Sequence, residues 1–264
     1  MRTGTTIAAI GVLVLWTSWA AADEAGPSQT VQAFSPMRFT TQALDARGLT
    51  PTGLEPAYPT GADCPRMTSA FASEYRTDGS RRSRRFFAGR HGGIDIPAEP
   101  GTPVLAVASG TLVHMAEGGG IGGLGVVLQH APEDTGFPVW VYTEYKHLQA
   151  LPDVPLGTRY RQGQTVGLAG TTGTTGGHYG EEGFSHLHLA AFQAPTGEYV
   201  AQRLLIPKDG AWLDPLALFG PGPKPSAELA DLTDKKVAFA HVDGQGHVVP
   251  PGATVTWPFA CGEK

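Results

Sequence analysis

The sequence is poor in charged residues, and this scarcity excludes some classes of protein. Charged residues make up 16% of the 264 residues, and the formal net charge is -5. A general nucleic-acid binder needs a basic surface to neutralise phosphates, so this composition excludes that class. Because charged residues are so few, the chain is not a disordered acidic one either. Its length is enough for one large domain with extensions or for two small domains.

Cysteine is scarce as well, with only Cys64 and Cys261 present. Neither has another Cys or a His nearby at the spacing of a zinc finger, which disfavours zinc ligation. In an oxidising compartment such a pair most simply forms a disulfide, and the alternative is two free thiols. A bridge would tie the N-terminal region to the C-terminal tail.

Long apolar runs are absent beyond the N-terminus. Arg2 is followed by a mostly apolar stretch over residues 6–19 and by the small-residue triplet Ala20–Ala22. These features predict a signal peptide over residues 1–22, with an uncleaved membrane anchor as the alternative. We therefore expect an exported protein, periplasmic or extracellular, with no stable membrane insertion after signal removal.

Glycine and proline are frequent, with 36 and 22 residues, and they separate short apolar runs. Residues 23–80 have weak periodicity, which predicts an irregular extension that packs loosely or wraps the core. Residues 81–219 show strand signals at regular spacing without a long helical period, which predicts a mainly β domain with an antiparallel sheet. Residues 220–264 are predicted to form a short tail that opens on the stiff linker GPGPKP and adds one or two strands.

The stretch RRSRR, Arg81–Arg85, is a short basic run at the start of that β-rich region. Such a run is usually a solvated turn or strand end. An anion-contacting or processing role is the weaker alternative.

The stretch FSHLHLAAF places two histidines two residues apart in an apolar run. Alternate side chains of a strand point to the same face, so His186, His188 and Ala190 are predicted to share one face. Leu187 and Leu189 are then core contacts on the other face. Two imidazoles facing one space indicate a metal site or a proton-transfer pair, unless the spacing is a coincidence.

A second polar cluster stands in GRHGGIDIP, which contains His91 and Asp95. Two glycines and a nearby proline disfavour a helix, so a loop that enters a strand is predicted. Imidazole nitrogen and carboxylate oxygen are both good zinc ligands. A third ligand from the distant HLH would leave a fourth position open for water, which is the pattern of a catalytic zinc.

One further histidine, His147, ends the β-patterned run VWVYTEYKHL. Alternation places it on the same side as Val141, Thr143 and Tyr145. A lone histidine is more often a satisfied or surface residue, so its interest depends on the other histidines. The H-E-x-x-H helix of common metalloproteases is absent, which excludes their glutamate-base design.

The stretch from about residue 90 to residue 192 resembles the LytM/lysostaphin-type zinc peptidoglycan endopeptidases. The family elements H-x-x-x-D, G-T-P-V-x-A, Y-x-H-L, G-x-x-x-G-x-x-G and H-x-H stand in the same order as His91–Asp95, Gly101–Gly110, Tyr145–Leu148, Gly163–Gly173 and His186–His188. WLDPLALF, residues 212–219, resembles the family's closing segment.

The resemblance implies the roles of five side chains. His91, Asp95 and His188 would be zinc ligands, and His147 and His186 the catalytic pair. The implied activity is a zinc metalloendopeptidase that hydrolyses peptide bonds in peptidoglycan cross-links or stem peptides, and we expect a monomer. The alternative is an inactive module that binds the cell wall or activates a hydrolase. Inactive members typically lack a metal-site residue, and all five positions are filled here.

The chain departs from the family pattern in two places. Leu189 stands where an aromatic residue is common, and the connection over residues 174–184 is longer by about eight residues. That connection contains His178, Tyr179 and two adjacent glutamates, Glu181 and Glu182. It is either a plain surface loop or a wall of the substrate groove that moves as a lid.

Overall fold

The structure is a computed structural model that describes Met1 and residues 39–118, 122–202 and 204–264. The predicted signal peptide, apart from Met1, and residues 23–38 of the predicted extension lie outside the described residues. In the described part of the chain, no helix combines the length and the apolar character needed to cross a membrane.

Short strands joined by turns form most of the regular structure in these ranges. The helices are α1 Thr41–Asp45, α2 Pro132–Thr135 and α3 Ser226–Ala230, with 3₁₀ turns at Phe87–Gly89 and Pro215–Phe219. The strands are β1 Glu55–Ala57, β2 Ala62–Asp63, β3 Ile94–Pro97, β4 Pro103–Leu105, β5 Gly110–Glu117, β6 Leu124–His130, β7 Trp140–Leu148, β8 Arg159–Tyr160, β9 Thr165–Leu168, β10 His186–Ala194, β11 Tyr199–Ala201, β12 Leu205–Pro207, β13 Ala211–Leu213, β14 Lys236–Ala238, β15 Ala240–Val242, β16 Val248–Val249, β17 Thr256–Ala260 and β18 Gly262–Glu263.

One seven-stranded sheet forms the centre of the molecule. Its order is β13-β10-β7-β6-β5-β8, and β3 pairs with β10 on the same edge as β13. All neighbours in this sheet are antiparallel. The predicted mainly β fold with an antiparallel sheet is therefore confirmed. The pairs β1–β14 and β15–β17 are parallel and lie outside this sheet.

The alternation predicted for β10 is confirmed. Leu187, Leu189 and Ala191 are buried in the main hydrophobic core, whereas His186 and His188 lie on the opposite face with Asp95. Burying a leucine side chain contributes about 1.5–3 kcal/mol. A slip of one residue would move these leucines to the polar face, so the core fixes the register that presents the histidines.

The described part of the predicted extension wraps the core rather than packing loosely. Leu44, Leu49 and Phe71 are buried in the main core. Its strands pair with the tail, β1 with β14 and β2 with β18. One or two strands were predicted in the tail, and the structure has five, β14 to β18. KKVAFAHVDG forms β14 and β15, and GATVTWPF contains most of β17. The domain boundaries at residues 80 and 219 stay predictions.

Cys64 and Cys261 form a disulfide, which confirms the predicted pairing. Both cysteines are buried, and the bridge lies beside the β2–β18 pair, where Asp63 faces Gly262. It joins residues 197 apart in the sequence. The extension and the tail are thus held together covalently as well as by hydrogen bonds.

Candidate metal centre

The structure brings His91, Asp95 and His188 together. His91 Nε2 lies 2.9 Å from Asp95 Oδ1, and His188 Nδ1 lies 3.1 Å from the same oxygen. The two ring nitrogens are 3.0 Å apart. One ligand atom from each residue lies within 4.8 Å of the others, so this group could hold a metal ion.

Strand pairing and a glycine bring these side chains to one point. Asp95 on β3 is the cross-strand partner of His188 on β10, so both side chains lie on the same face. His91 lies in the loop that enters β3, as predicted. A Cβ on Gly93 in this loop would lie 2.2 Å from the carbonyl oxygen of Leu189. Only glycine permits the loop to approach β10 so closely.

The buried position and the charges favour the protonation states that metal ligands need. Burial alone would raise the pKa of Asp95, but the nearby His91 and hydrogen bonds from His186 and His188 hold it well below its ordinary value. Burial lowers the pKa of His188 to about 4. Metals bind the ionised carboxylate and the neutral imidazole. The donor set therefore fits a divalent cation such as zinc.

The ring of His91 is oriented by the extension. Its Nδ1 lies 3.0 Å from the carbonyl oxygen of Ala70 and 3.3 Å from Ser69 Oγ. A carbonyl only accepts, so Nδ1 carries the proton and donates it. Nε2 is the nitrogen that faces Asp95, and a metal-binding histidine usually donates its other ring N–H in this way.

His147 and His186 form a second pair beside this group. Their ring centroids are 4.6 Å apart, and the ring of His147 is 6.0 Å from that of His188. His186 Nε2 lies 3.5 Å from Asp95 Oδ1. All five residues singled out from the sequence therefore meet in one place.

Backbone carbonyls also fix the tautomers of this pair. His147 Nδ1 donates to the carbonyl of Thr172 at 2.7 Å, and His186 Nδ1 donates to that of Phe184 at 2.9 Å. Nδ1 of each ring is therefore occupied by a carbonyl, and Nε2 is the nitrogen that can take part in proton transfer. Burial, and then the neighbouring histidines, lower the pKa of His147 well below its ordinary value. A neutral His147 can accept a proton.

The predicted face of His147 is wrong. Tyr145 lies in the main core, as alternation requires, but His147 turns to the opposite face, where it contacts the other site histidines. His147 has a left-handed backbone with φ 64°, and the pairing of β6 with β7 shifts between Leu124 and Gly125. This is a β-bulge, which re-aims a side chain and here also sends Leu148 into the core.

The connection over residues 174–184 begins a row of rings at the site. The ring of Phe184 stacks on His186 with centroids 4.8 Å apart and an angle of 28°. The ring of Tyr179 lies 4.9 Å from Phe184. The connection therefore forms one side of the space next to the histidine pair.

The far end of the same connection contacts the extension. His178 Nε2 lies 2.6 Å from Asp78 Oδ2 and 3.0 Å from Ser80 Oγ. Glu181 and Glu182 are exposed on the connection. The segment thus bridges the site and the turn that contains Asp78.

Sequence reasoning missed two side chains that contact the candidate ligands, Ser69 beside His91 and Arg82 beside Asp95. Arg82 Nη2 donates to Asp95 Oδ2 at 2.9 Å and to Ser69 Oγ at 2.8 Å. The other arginines of RRSRR are exposed, as predicted for a solvated run. Arg82 instead follows the anion-contacting alternative. The sequence has no signal that separates Arg82 from its neighbours, because the contact depends on the tertiary path of the chain.

Residues 89–201 match the model of Peptidase family M23. The match contains all five site residues, whereas Ser69 and Arg82 precede it. The resemblance to LytM/lysostaphin-type peptidases is therefore confirmed over this segment.

Single relatives cover parts of the chain. An uncharacterised metalloprotease of Haemophilus influenzae is 36% identical over 89 residues, which are 33% of this chain and only 17% of that relative. The catalytic domain of the antimicrobial peptidase lysostaphin from Staphylococcus simulans is 27% identical, with 42% of this chain and 72% of that chain covered and a TM-score of 0.33. The structure of LytU is 21% identical, with coverages of 53% and 82% and a TM-score of 0.38.

Proposed function

We propose that this protein is an exported zinc metalloendopeptidase that hydrolyses peptide bonds in bacterial peptidoglycan, in cross-links or stem peptides. The convergence of His91, Asp95 and His188 beside a second pair of histidines carries the proposal. The match to a peptidase family over the same residues supports it. The disulfide supports export, because such bonds persist in oxidising compartments.

In this proposal three atoms hold the metal: His91 Nε2, Asp95 Oδ1 and His188 Nδ1. When bound, zinc supplies Lewis-acid polarisation of the scissile carbonyl and a lower pKa for attacking water. The three residues would contribute one negative charge and two neutral nitrogens, so a divalent ion held by them would keep net positive charge. Three protein ligands are the number typical of a catalytic zinc site.

His147 and His186 handle protons and charge. Each has an Nδ1–H that is occupied by a carbonyl, which leaves Nε2 as the nitrogen for proton transfer. One Nε2 can accept the proton from the attacking water and return it to the leaving amine. The protonated ring can also donate a hydrogen bond to the developing oxyanion. General acid–base catalysis of this kind is worth about 10²–10⁴ in rate.

The decisive experiment identifies the cleaved bond. Purified protein is incubated with peptidoglycans of defined cross-link and stem composition, with and without a chelator, and new termini are identified by mass spectrometry. We expect new peptide termini that disappear with chelator and return with zinc. The His147→Ala variant provides the matched control, because it keeps the proposed ligands.

Two results would count against the proposal. New termini that form equally with chelator would exclude a metallopeptidase. Binding to peptidoglycan without any new terminus would favour the alternative of an inactive wall-binding or hydrolase-activating module.

A further inference from the structure

The two oxygens of the Asp95 carboxylate face different partners. Oδ1 lies 2.9 Å from His91 Nε2 and 3.1 Å from His188 Nδ1, on the side of the candidate metal site. Oδ2 accepts a hydrogen bond from Arg82 Nη2 at 2.9 Å. Turning the carboxylate out of this orientation would break the contact with Arg82. The guanidinium therefore fixes the plane of the carboxylate, with one oxygen on Arg82 and the other towards the candidate metal site.

The contact is shielded from water. The side chain of Asp95 is 5% exposed and that of Arg82 is 19% exposed, whereas the neighbouring Arg81 is 72% exposed. A charge-assisted hydrogen bond is stronger in such surroundings than at the surface. The Arg82–Asp95 pair thus differs in kind from the solvated contacts of the same basic run.

The extension fixes the guanidinium in place. Arg82 Nη2 also donates to Ser69 Oγ at 2.8 Å, and Arg82 Nε donates to the carbonyl of Tyr75 at 3.3 Å. Ser69 in turn forms a bridge with Asp95, whose N–H donates to the Ser69 carbonyl at 3.0 Å. The His91 ring is held by the adjacent carbonyl of Ala70. The candidate ligands His91 and Asp95 are therefore both held from outside by residues 69–82, which precede the family match.

We propose that Arg82, which precedes the segment that matches the family, is a positioning residue of the metal centre: it holds one oxygen of the Asp95 carboxylate so that the other would face zinc. The inference rests on the proposed function, since it assumes that Asp95 is a zinc ligand. Outer partners that orient ligands typically change metal affinity 10–100-fold when they are removed. Zinc affinity, rather than fold, is the property that Arg82 controls.

The test measures zinc affinity by competition with a chromophoric chelator on the full chain. Arg82→Gln removes the charge and the planar guanidinium. Arg82→Lys keeps the charge on a compact ammonium group that lacks the planar arrangement of donors. Arg85→Gln is the matched control, because Arg85 belongs to the same run and is exposed. We expect Arg82→Gln to bind zinc about 10–100-fold more weakly, Arg82→Lys to lie between it and the unaltered protein, and Arg85→Gln to bind normally.

A second readout separates positioning from a structural role. With saturating zinc, Arg82→Gln should lower kcat for a cleaved peptide while KM stays within about twofold. If Arg82→Gln fails to fold, Arg82→Lys decides: a loss of zinc affinity of threefold or more supports the proposal, and a smaller loss overturns it.

The outcomes distinguish this inference from the proposed function. Zinc affinity of folded Arg82→Gln within about twofold of the unaltered protein overturns the inference alone. An unaltered protein that binds no zinc overturns the proposed function and the inference with it.

Discussion

At the scale of single residues, the site depends on which nitrogen of each histidine is occupied by a backbone carbonyl. The carbonyls of Ala70, Thr172 and Phe184 each accept a hydrogen bond from the Nδ1–H of one histidine. His188 differs, since its Nδ1 faces Asp95. The backbone therefore decides, before any metal binds, which atoms can act as a ligand or base.

The first prediction separates ligands from catalytic histidines. His188→Ala removes one of three ligand atoms, so we expect it to lose its zinc, about one ion per chain in the unaltered protein. His147→Ala and His186→Ala should keep most of the zinc and lose about 10²–10⁴ in rate. Metal analysis and peptidoglycan hydrolysis on the same samples check both effects. Equal metal loss in all three variants would refute the division of roles.

A second prediction concerns Asp214, which is buried near the end of the segment that resembles the family's close. Burial raises its pKa to about 6, although hydrogen bonds from Thr52 and the Leu216 N–H act in the other direction. Between about pH 4 and pH 6, Asp214 is therefore protonated in the folded state and ionised in the unfolded state. Its contribution to the free energy of unfolding is complete below about pH 4 and is lost as the pH rises through about 6.

Asp214→Asn keeps the acceptor for Leu216 N–H but does not titrate. Between pH 4 and pH 7, the free energy of unfolding should fall by about 3 kcal/mol less in Asp214→Asn than in the unaltered protein, because a shift of about two pKa units corresponds to this amount. Asp209→Asn, at an exposed position, serves as the control. Urea unfolding across this pH range measures both, and identical slopes in the two variants would contradict the prediction.

How far the residues could be predicted depends on whether a local pattern marks them. His186 and His188 were found from strand alternation, and His91 and Asp95 from their glycine-rich loop. Arg82 was missed because its contact with Asp95 depends on the tertiary path of residues 69–82, which no local pattern encodes.

At the scale of elements, alternation predicted β10 correctly and failed at the end of β7. A period of two holds only while the ladder is regular. The bulge at His147 depends on the register against β6, a property of two strands together. The sequence of β7 alone could not show it.

The third prediction concerns the connection over residues 174–184. Its Tyr179 and Phe184 extend a row of rings to His186, and His178 ties its far end to Asp78. We propose that it forms a wall of the substrate groove, with Glu181 and Glu182 favouring an amine-bearing stem residue, although exposed pairs contribute little individually.

Shortening this connection to the family's length should leave zinc content intact and change the relative rates on different peptidoglycans. Glu181→Gln with Glu182→Gln is the matched variant, which keeps the length and tests the charge alone. Rates on peptidoglycans with and without a free amine on the stem residue measure the preference. If the shortened protein cleaves all of them with unchanged relative rates, the connection is only surface.

At the scale of the whole molecule, the extension and the tail form part of the structure that holds the site. The extension contributes Ser69 and Ala70 to the surroundings of the candidate ligands, Arg82 follows it directly, and Cys64 links the extension to Cys261 in the tail. The pairing of two lone cysteines was predictable from their number and the expected export. The path of the extension between them was not, because its contacts are long-range.

The last prediction concerns this bridge. Loop-closure entropy for a bridge between distant residues contributes about 4–5 kcal/mol, and the Cys64–Cys261 bridge joins residues 197 apart. Because no candidate ligand contacts either cysteine directly, Cys64→Ala with Cys261→Ala should lower the free energy of unfolding by about this amount while the folded protein keeps its zinc. Urea unfolding measures the first effect and metal analysis the second.

The control uses a reductant, which should destabilise the unaltered protein and leave the double variant unchanged. Two alkylatable thiols in the purified protein under denaturing, non-reducing conditions would show that the bridge is absent.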